Sequence, residues 1–399
     1  MKKMVLIAAS VASMIDQFNL PNIRILLKLG YQVHIACNFQ KGNTCDARRI
    51  RKLQRELERM HVICHQWDCP RKIRPVWACV RAYTQLGKLL DQYAFCFIHC
   101  QSPVGGALAR LAAGRRKIRV IYTAHGFHFY KGAPWKSRLL YYPVEKLLAH
   151  GTDILVTINK EDDQFARKHL RAGRVCYIPG AGIDTKSFMG GCSKRTRRQF
   201  LEDCLLPEHA KVLLSVGELS ERKNHLFMLS VLKNLNENVC YMICGQGELL
   251  TALQAYTHRR GLCHRVRFAG YQEDLREFYQ YADLFVFPSL QEGLPVALME
   301  AMASGLACVV SDIRGNRELI GRVSHKGSEK DLRNRIIQCG GMAVPGQRES
   351  FQKAVQTLLD DEALRKQCGK SNQRRICKYD QSVVDQKMMQ IYADMYTNK

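Results

Sequence analysis

Glu292 and Glu300, eight positions apart in a chain of 399 residues, stand in the stretch Pro288-Ser289-Leu290-Gln291-Glu292-Gly293-Leu294-Pro295-Val296-Ala297-Leu298-Met299-Glu300. An apolar run, Asp283 to Phe287, reads as a strand feeding a Pro-Ser loop that carries Glu292 and Gly293. A helix is expected to open on Leu294-Pro295, because the missing N–H of proline has no partner in a first turn anyway. The free N–H groups and positive dipole end of such a helix suit an anion such as a diphosphate. Glu300 falls about one and a half turns further on. One carboxylate in the loop and one on the helix can thus flank a bound sugar nucleotide, a donor site for group transfer. The bland alternative is a buried strand–helix unit whose glutamates only cap and solubilise the helix.

Other stretches place reactive residue types where strands end. Ser215 to Asn224 is a strand closing on Gly217, followed by a basic loop with Arg222 and Lys223. Fixed cations of this kind stabilise the negative charge that develops on a leaving nucleoside diphosphate. Thr123-Ala124-His125-Gly126-Phe127-His128-Phe129-Tyr130-Lys131-Gly132 follows another apolar run. Its aromatics, two histidines and two glycines belong at a cleft rather than in a core, although a lone histidine is by default a satisfied core residue. Asn159, in Thr157-Ile158-Asn159-Lys160-Glu161-Asp162, can cap a helix. Gly245-Gln246-Gly247 permits close approach of backbone to a ligand. Tyr271 follows Gly270 in a loop, where it can stack or merely pack.

Together these stretches resemble the E-x7-E signature and accompanying loops of retaining glycosyltransferases of family 4, which have the two-domain GT-B fold. The resemblance covers nearly the whole chain. It implies that Glu292, with the N–H groups of Gly293 and Leu294, holds the transferred sugar and that Glu300 binds the ribose hydroxyls. Arg222 and Lys223 would take the diphosphate charge beside Gly217 and Gly245, and Tyr271 would lie in the loop that holds the base. His125 would face the reacting centre from the first domain, with His128 and Asn159 bordering donor or acceptor. Pro179-Gly180-Ala181-Gly182-Ile183-Asp184 is similar to the family's interdomain turn, and its glycines fit a hinge.

Two departures stand out. Many members carry arginine directly after the first glycine, where this chain has Glu218. A carboxylate should not face a diphosphate, so Glu218 is expected to turn away or pair with a neighbouring base, as a subgroup in exopolysaccharide and capsule synthesis tolerates. The first strand–helix loop, Ser10–Phe18, lacks the family's glycine pair, which leaves acceptor handling open. The implied activity is retaining transfer of a hexose from a nucleoside diphosphate sugar, with a UDP-sugar expected. The implied acceptor is a lipid-linked or growing saccharide of extracellular or capsular polysaccharide. No Asp-x-Asp motif is evident and cationic residues can replace a divalent ion, so neither metal nor cofactor is expected. The rival readings are a GT-B enzyme that epimerises or hydrolyses a sugar nucleotide without an acceptor, and a catalytically silent scaffold of a polysaccharide-synthesis complex.

The elements that must position these residues alternate as β and α. Short apolar runs predict strands at Met4–Ala9, Gln32–Cys37, Val62–His65, Phe95–His99, Arg119–Thr123, Asp153–Thr157 and Val175–Ile178. A second series falls at Lys211–Val216, Val239–Cys244, Val266–Phe268, Leu284–Phe287, Ala307–Ser311 and Met342–Val344. Helices are expected at Asn19–Leu29, Asp46–Arg59, Pro75–Gln92, Val104–Ala113, Asp162–His169 and Asp380–Tyr396. The length suits two domains, so the fold class is α/β: GT-B, with two Rossmann-like, doubly wound parallel sheets facing a central cleft. Residues 1–190 would bind the acceptor and 191–379 the donor. The restart follows Gly190-Gly191 and the basic segment from Lys194, and the helix in 380–399 would cross back to the first domain.

Charge is unevenly placed. The net charge is +25, and residues 1–190 hold 31 Lys+Arg against 12 Asp+Glu. Three clusters dominate: Arg48, Arg49, Arg51, Lys52, Arg55 and Arg59; Arg71, Lys72 and Arg74; and Arg115, Arg116, Lys117 and Arg119. No zinc-finger spacing, aromatic RNA-binding motif or helix-turn-helix signature accompanies them, so nucleic acid is not the expected partner. An anionic membrane face gains about 1 kcal/mol per nearby Lys or Arg and is the better candidate. No run approaches the roughly twenty apolar residues that a spanning helix needs, and Lys2-Lys3 with the apolar run after it reads as a first buried strand. Seventeen cysteines without a CxxC pair read as reduced thiols. The expected location is cytoplasmic, peripheral at the inner face of the cell membrane.

Overall fold

Apolar runs become parallel strands in the computed structural model, which describes residues 3–42, 45–73, 75–130, 135–191, 195–321, 328–344 and 346–397. Lys2, Arg74, Lys131, Gly132 and Lys194, named above, lie outside these. The chain forms two units that divide between Ala181 and Gly182 and again between Gln381 and Ser382.

The first unit contains β1 (Met4–Val11), β2 (Gln32–Asn38), β3 (Ile63–Gln66), β4 (Phe95–Gln101), β5 (Arg119–Ala124), β6 (Ile154–Thr157) and β7 (Arg174–Tyr177). They pair in the order β3-β2-β1-β4-β5-β6-β7, and all neighbours run parallel. β1 is apolar on both faces because helices cover both sides of the sheet. The strand order reverses between β1 and β4, the place where such sheets carry polar clusters and ligands. From Ser382 on the chain belongs to this unit. The last helix, Gln381–Thr397, docks by burying Tyr392 against Phe97 and hydrogen-bonding its hydroxyl to His99 Nδ1 at 2.8 Å.

The second unit contains β8 (Lys211–Val216), β9 (Val239–Cys244), β10 (Val266–Gly270), β11 (Leu284–Phe287), β12 (Cys308–Ser311) and β13 (Gly341–Val344). Their order is β10-β9-β8-β11-β12-β13, again all parallel, with its reversal between β8 and β11. Its core runs from Leu213, Tyr241 and Leu284 to Phe351 and Leu358.

Several expectations are corrected. Ser10–Phe18 is not a loop: it holds the end of β1 and the helix Ala12–Phe18. The single helix expected over Asn19–Leu29 is a second one, Leu20–Lys28, joined to the first at Asn19. Asn19 breaks the run because its buried amide donates to Met14 O at 3.0 Å. The helix after Glu292 starts at Val296, with Pro295 extended before it, so proline is the cap rather than the first turn. Arg49 and Arg116 are not free cations: Arg49 pairs with Asp16, and Arg116 grips Asp91 at 2.6 and 2.7 Å.

The helix Trp135–Ala149 was not expected at all. Its apolar residues do not form one stripe facing the core, and its single acid points inward. Glu145 Oε2 meets Arg110 Nη2 at 2.8 Å, with both side chains less than a tenth exposed, and Tyr122 donates to Glu145 Oε1 at 3.1 Å. The Arg110 guanidinium also lies 3.8 Å from the centre of the Tyr122 ring. Held this way, the helix leaves Trp135, Leu139, Leu140, Val144 and Leu147 exposed.

Candidate functional site

The loops that follow β8 and β11 meet side by side in the second unit. After Gly217 the chain makes a short 3-10 turn, Glu221–Lys223, and Asn224 takes the left-handed conformation at φ 56° before the helix His225–Leu232. The Leu290 N–H donates to Arg222 O at 2.8 Å, and the Asn224 side-chain amide reaches Pro288 O at 3.3 Å. This backbone stitching delivers two cations to one carboxylate. Lys223 Nζ and Arg222 Nη1 each stand 2.8 Å from Glu292 Oε1. Arg222 also donates to Gln291 O at 3.1 Å, and Lys223 Nζ lies 4.5 Å from the centre of the Phe287 ring.

Burial sets the energetics of this cluster. The side chains of Glu292 and Lys223 are 8% and 10% exposed, while Arg222 is 41% exposed. Burial alone would raise the Glu292 carboxyl, but Lys223 and Arg222 outweigh it and hold the group below its ordinary value. Lys223 is pulled down by burial and only partly restored by Glu292. Glu218, half-buried, acts on Lys223 as well and favours the ammonium.

The glycines here serve backbone packing. A Cβ at Gly217 would come within 2.9 Å of Lys223 Cε, and one at Gly245 would fall 1.9 Å from Gly217 O. Gly245 thus seats the β9 loop against the β8 loop, and its close approach is to protein backbone. Among the described residues, the N–H groups of Gly293 and Leu294 make no hydrogen bond, and Pro295 has none to offer. Two free donors therefore sit beside the Glu292 cluster. Arg314, which the sequence reading missed, comes from the helix Arg314–Ile320 and reaches Glu292 O at 3.3 Å.

Glu300 is the fifth residue of the helix Val296–Ala303 and accepts from Tyr279 OH at 2.9 Å. Burial pushes its carboxyl up to about 7. Tyr279 was also missed, because its contribution comes from a different helix, Arg276–Tyr281. Tyr271 is half-buried just after β10, beside Gly270, whose carbonyl accepts from the Gly245 N–H at 2.7 Å.

In the first unit, His125 follows β5 and is half-buried. Its Nε2 lies 2.6 Å from Gln101 Oε1 and its ring stands 4.9 Å from that of Phe18. Burial lowers its pKa to about 4, so it is neutral at physiological pH. His128 is half-buried against Tyr141 at 4.7 Å. Phe127 and Phe129 are corrections to the cleft expectation. They stack at 4.8 Å inside the core, with Phe165 and Tyr142 against them, where aromatic burial is worth most.

Asn159 takes the capping role that its sequence context allows. It is wholly buried and caps the helix Lys160–His169, accepting from the Asp162 N–H while donating to Asp162 Oδ2, both at 2.8 Å. Asp162 in turn takes the Phe127 N–H at 3.0 Å and so anchors the His125 loop.

Comparison with known proteins gives a consistent pattern. Residues 196–375 match the family described as glycosyl transferases group 1, and residues 22–181 match a glycosyl transferase 4-like domain. The chain is 30% identical over 401 residues to the putative glycosyltransferase EpsD of Bacillus subtilis, covering 98% of this chain and 97% of EpsD. It is 27% identical over 329 residues to the UDP-Gal:alpha-D-GlcNAc-diphosphoundecaprenol alpha-1,3-galactosyltransferase of Escherichia coli, covering 80% and 81% of the two. The fold matches the crystal structure of Anabaena Alr3699/HepE in complex with UDP and glucose at a TM-score of 0.76 and 15% identity, over 98% of this chain and 100% of that one.

The raised Glu300 carboxyl predicts a pH signature. With a folded pKa of about 7 against an ordinary 4.5, the folded protein binds more protons than the unfolded chain across that window. Stability therefore falls as pH rises from 4.5 to 7 on this group's account. Glu300→Gln removes that loss, so its stability relative to wild type should rise by on the order of 1–3 kcal/mol between pH 4.5 and 8. Urea unfolding at several pH values measures it. A difference that stays flat would contradict the assignment.

Proposed function

The chain belongs to the group 1, family 4 glycosyl transferases, and we propose that it is a retaining enzyme that moves a hexose from a UDP-sugar to a lipid-linked or growing saccharide in exopolysaccharide or capsule biosynthesis. It is a glycosyltransferase of the GT-B fold, with two parallel-sheet α/β units. The observation that carries the donor reading is the convergence of Lys223 and Arg222 on buried Glu292 at the reversal of the second sheet. Two free N–H groups lie in the same loop.

In this reading Lys223 and Arg222 exchange part of their bonding to Glu292 for the donor diphosphate. They then stabilise the charge left on the nucleoside diphosphate as the glycosidic bond breaks. Glu292 with the N–H groups of Gly293 and Leu294 holds the sugar, Glu300 takes the ribose hydroxyls and Tyr271 meets the base. His125 meets the transferred sugar. The fixed cations supply the charge a divalent ion would supply, so the reaction needs no metal. Retention is read from the E-x7-E pattern. The UDP donor draws support from the names of the Escherichia coli relative and the HepE complex, and the lipid-linked acceptor from the former.

The membrane part of the proposal draws on charge and shape. The helix Trp135–Ala149 exposes five large apolar side chains beside Lys136, Arg138 and Lys146, while its single acid is buried on Arg110. An apolar face with flanking cations and no exposed acid suits an anionic bilayer surface. That helix would seat the protein at the inner face of the cell membrane. Among the described residues no helix is long and apolar enough to cross it.

Two expectations follow. A panel of nucleoside diphosphate sugars should show turnover with a UDP-hexose when a membrane lipid fraction is supplied. Lys223→Ala should lower kcat/KM by at least about a hundredfold. Turnover without any acceptor would instead favour an epimerase or hydrolase, and donor binding absent altogether would favour a scaffold. Separately, the protein should sediment with anionic vesicles in a salt-sensitive way, and Leu139→Glu with Leu147→Glu should weaken that binding on the order of tenfold. Sedimentation equal for the double variant and wild type would remove this helix from the membrane contact.

A further inference from the structure

The reversal of the first sheet, between β1 and β4, holds a chain of side-chain amides whose direction is fixed at its far end. Gln101, the last residue of β4, is 1% exposed, and Asn19 is wholly buried. The Asn19 amide Nδ2 donates to the backbone carbonyl of Met14 at 3.0 Å. A carbonyl can only accept, so the other end of Asn19, its Oδ1, must face Gln101. Asn22 points the same way. Its Nδ2 donates to Phe18 O at 3.5 Å and to Asn19 Oδ1 at 3.3 Å. Asn19 Oδ1 therefore accepts from Gln101 Nε2, which turns Gln101 Oε1 toward His125 Nε2 at 2.6 Å.

We infer that Asn19 and Gln101 are positioning residues that fix His125 as the Nε2–H tautomer, leaving Nδ1 a hydrogen-bond acceptor that selects a sugar presenting a hydroxyl or N–H donor. An amide oxygen cannot donate, so His125 Nε2 must carry the hydrogen of that bond. In a neutral ring the lone pair is then on Nδ1, which makes no hydrogen bond among the described residues. Neutrality is supported by the surroundings. The ring packs on Phe18, and the neighbouring titratable group, His99, is wholly buried. His99 has one ring nitrogen 2.8 Å from Thr123 Oγ1 and the other 2.8 Å from Tyr392 OH. Burial, then the proximity of His125, lowers it to about 3, so it adds no charge. A carboxylate or phosphate oxygen at Nδ1 would meet lone pair against lone pair. The inference rests on the reading that His125 meets the transferred sugar, and it narrows the class of group that sugar can present there.

The test uses the full-length protein, with 15N-labelled histidine, in long-range 1H–15N spectra. The His125 ring should show a protonated Nε2 and a bare Nδ1, unchanged between about pH 6 and 8. A ring protonated at Nδ1 would overturn the inference. Gln101→Glu supplies the kinetic arm. A carboxylate at this place favours the charged imidazolium, in which Nδ1 becomes a donor. Its kcat should fall on the order of tenfold at about pH 6 relative to pH 8, and recover at pH 8, where wild type is flat. An unchanged pH profile in a folded Gln101→Glu variant would also overturn it. Should that variant not fold, the wild-type spectrum decides alone. The expected tautomer combined with undiminished transfer by His125→Ala would overturn the sugar contact on which the selectivity rests, and not the tautomer.

Discussion

A carboxylate buried to the extent of Glu292 cannot remain ionised unless cations are brought to it, and this requirement joins the loops of the donor unit. Leaving either partner alone would strand a charge in a poorly solvated place, at a cost of about 3–5 kcal/mol. The chain meets the requirement with Lys223 and Arg222 from the neighbouring strand's loop. Much of the local sequence follows from it. Gly217 leaves space for the lysine stem, Gly245 leaves space for the Gly217 carbonyl, and Asn224 turns the chain into the next helix. The same arrangement holds two positive groups near an anion's place before any ligand arrives, which limits reorganisation during reaction.

The first unit meets a different demand at the equivalent reversal of its sheet. Its buried groups are neutral amides and imidazoles, and the constraint is hydrogen-bond direction rather than charge balance. Asn19, Gln101 and His125 form a run in which every donor has an acceptor. Buried polar groups are tolerable only when satisfied in this way. Each unit thus places a polar cluster where its strand order reverses, with His125 Nδ1 in one and the Gly293 and Leu294 N–H groups in the other left open among the described residues.

Much of this was legible in the sequence. Strands buried on both faces read as continuous apolar runs, so all the strands given above were placed within about two residues of their observed ends. The Glu292–Glu300 stretch and the Lys223 loop were legible because acids, cations, glycine and proline occur together at a strand's end. What failed had physical causes. The helix Trp135–Ala149 buries its single acid, Glu145, and exposes five large apolar side chains, which breaks the stripe that periodicity detects. Phe127 and Phe129 turn back into the core from a loop that looked wholly open. Tyr279, Arg314 and Gln101 act through partners distant in sequence, which spacing alone cannot disclose.

Lys223 and Arg222 are the proposed diphosphate seat. A crystal structure with UDP bound tests it most directly. Phosphate oxygens are expected within hydrogen-bond distance of Lys223 Nζ and the Arg222 guanidinium, with the ribose hydroxyls on Glu300. A diphosphate bound elsewhere, with the Lys223–Glu292 pair undisturbed and unvisited, would contradict it.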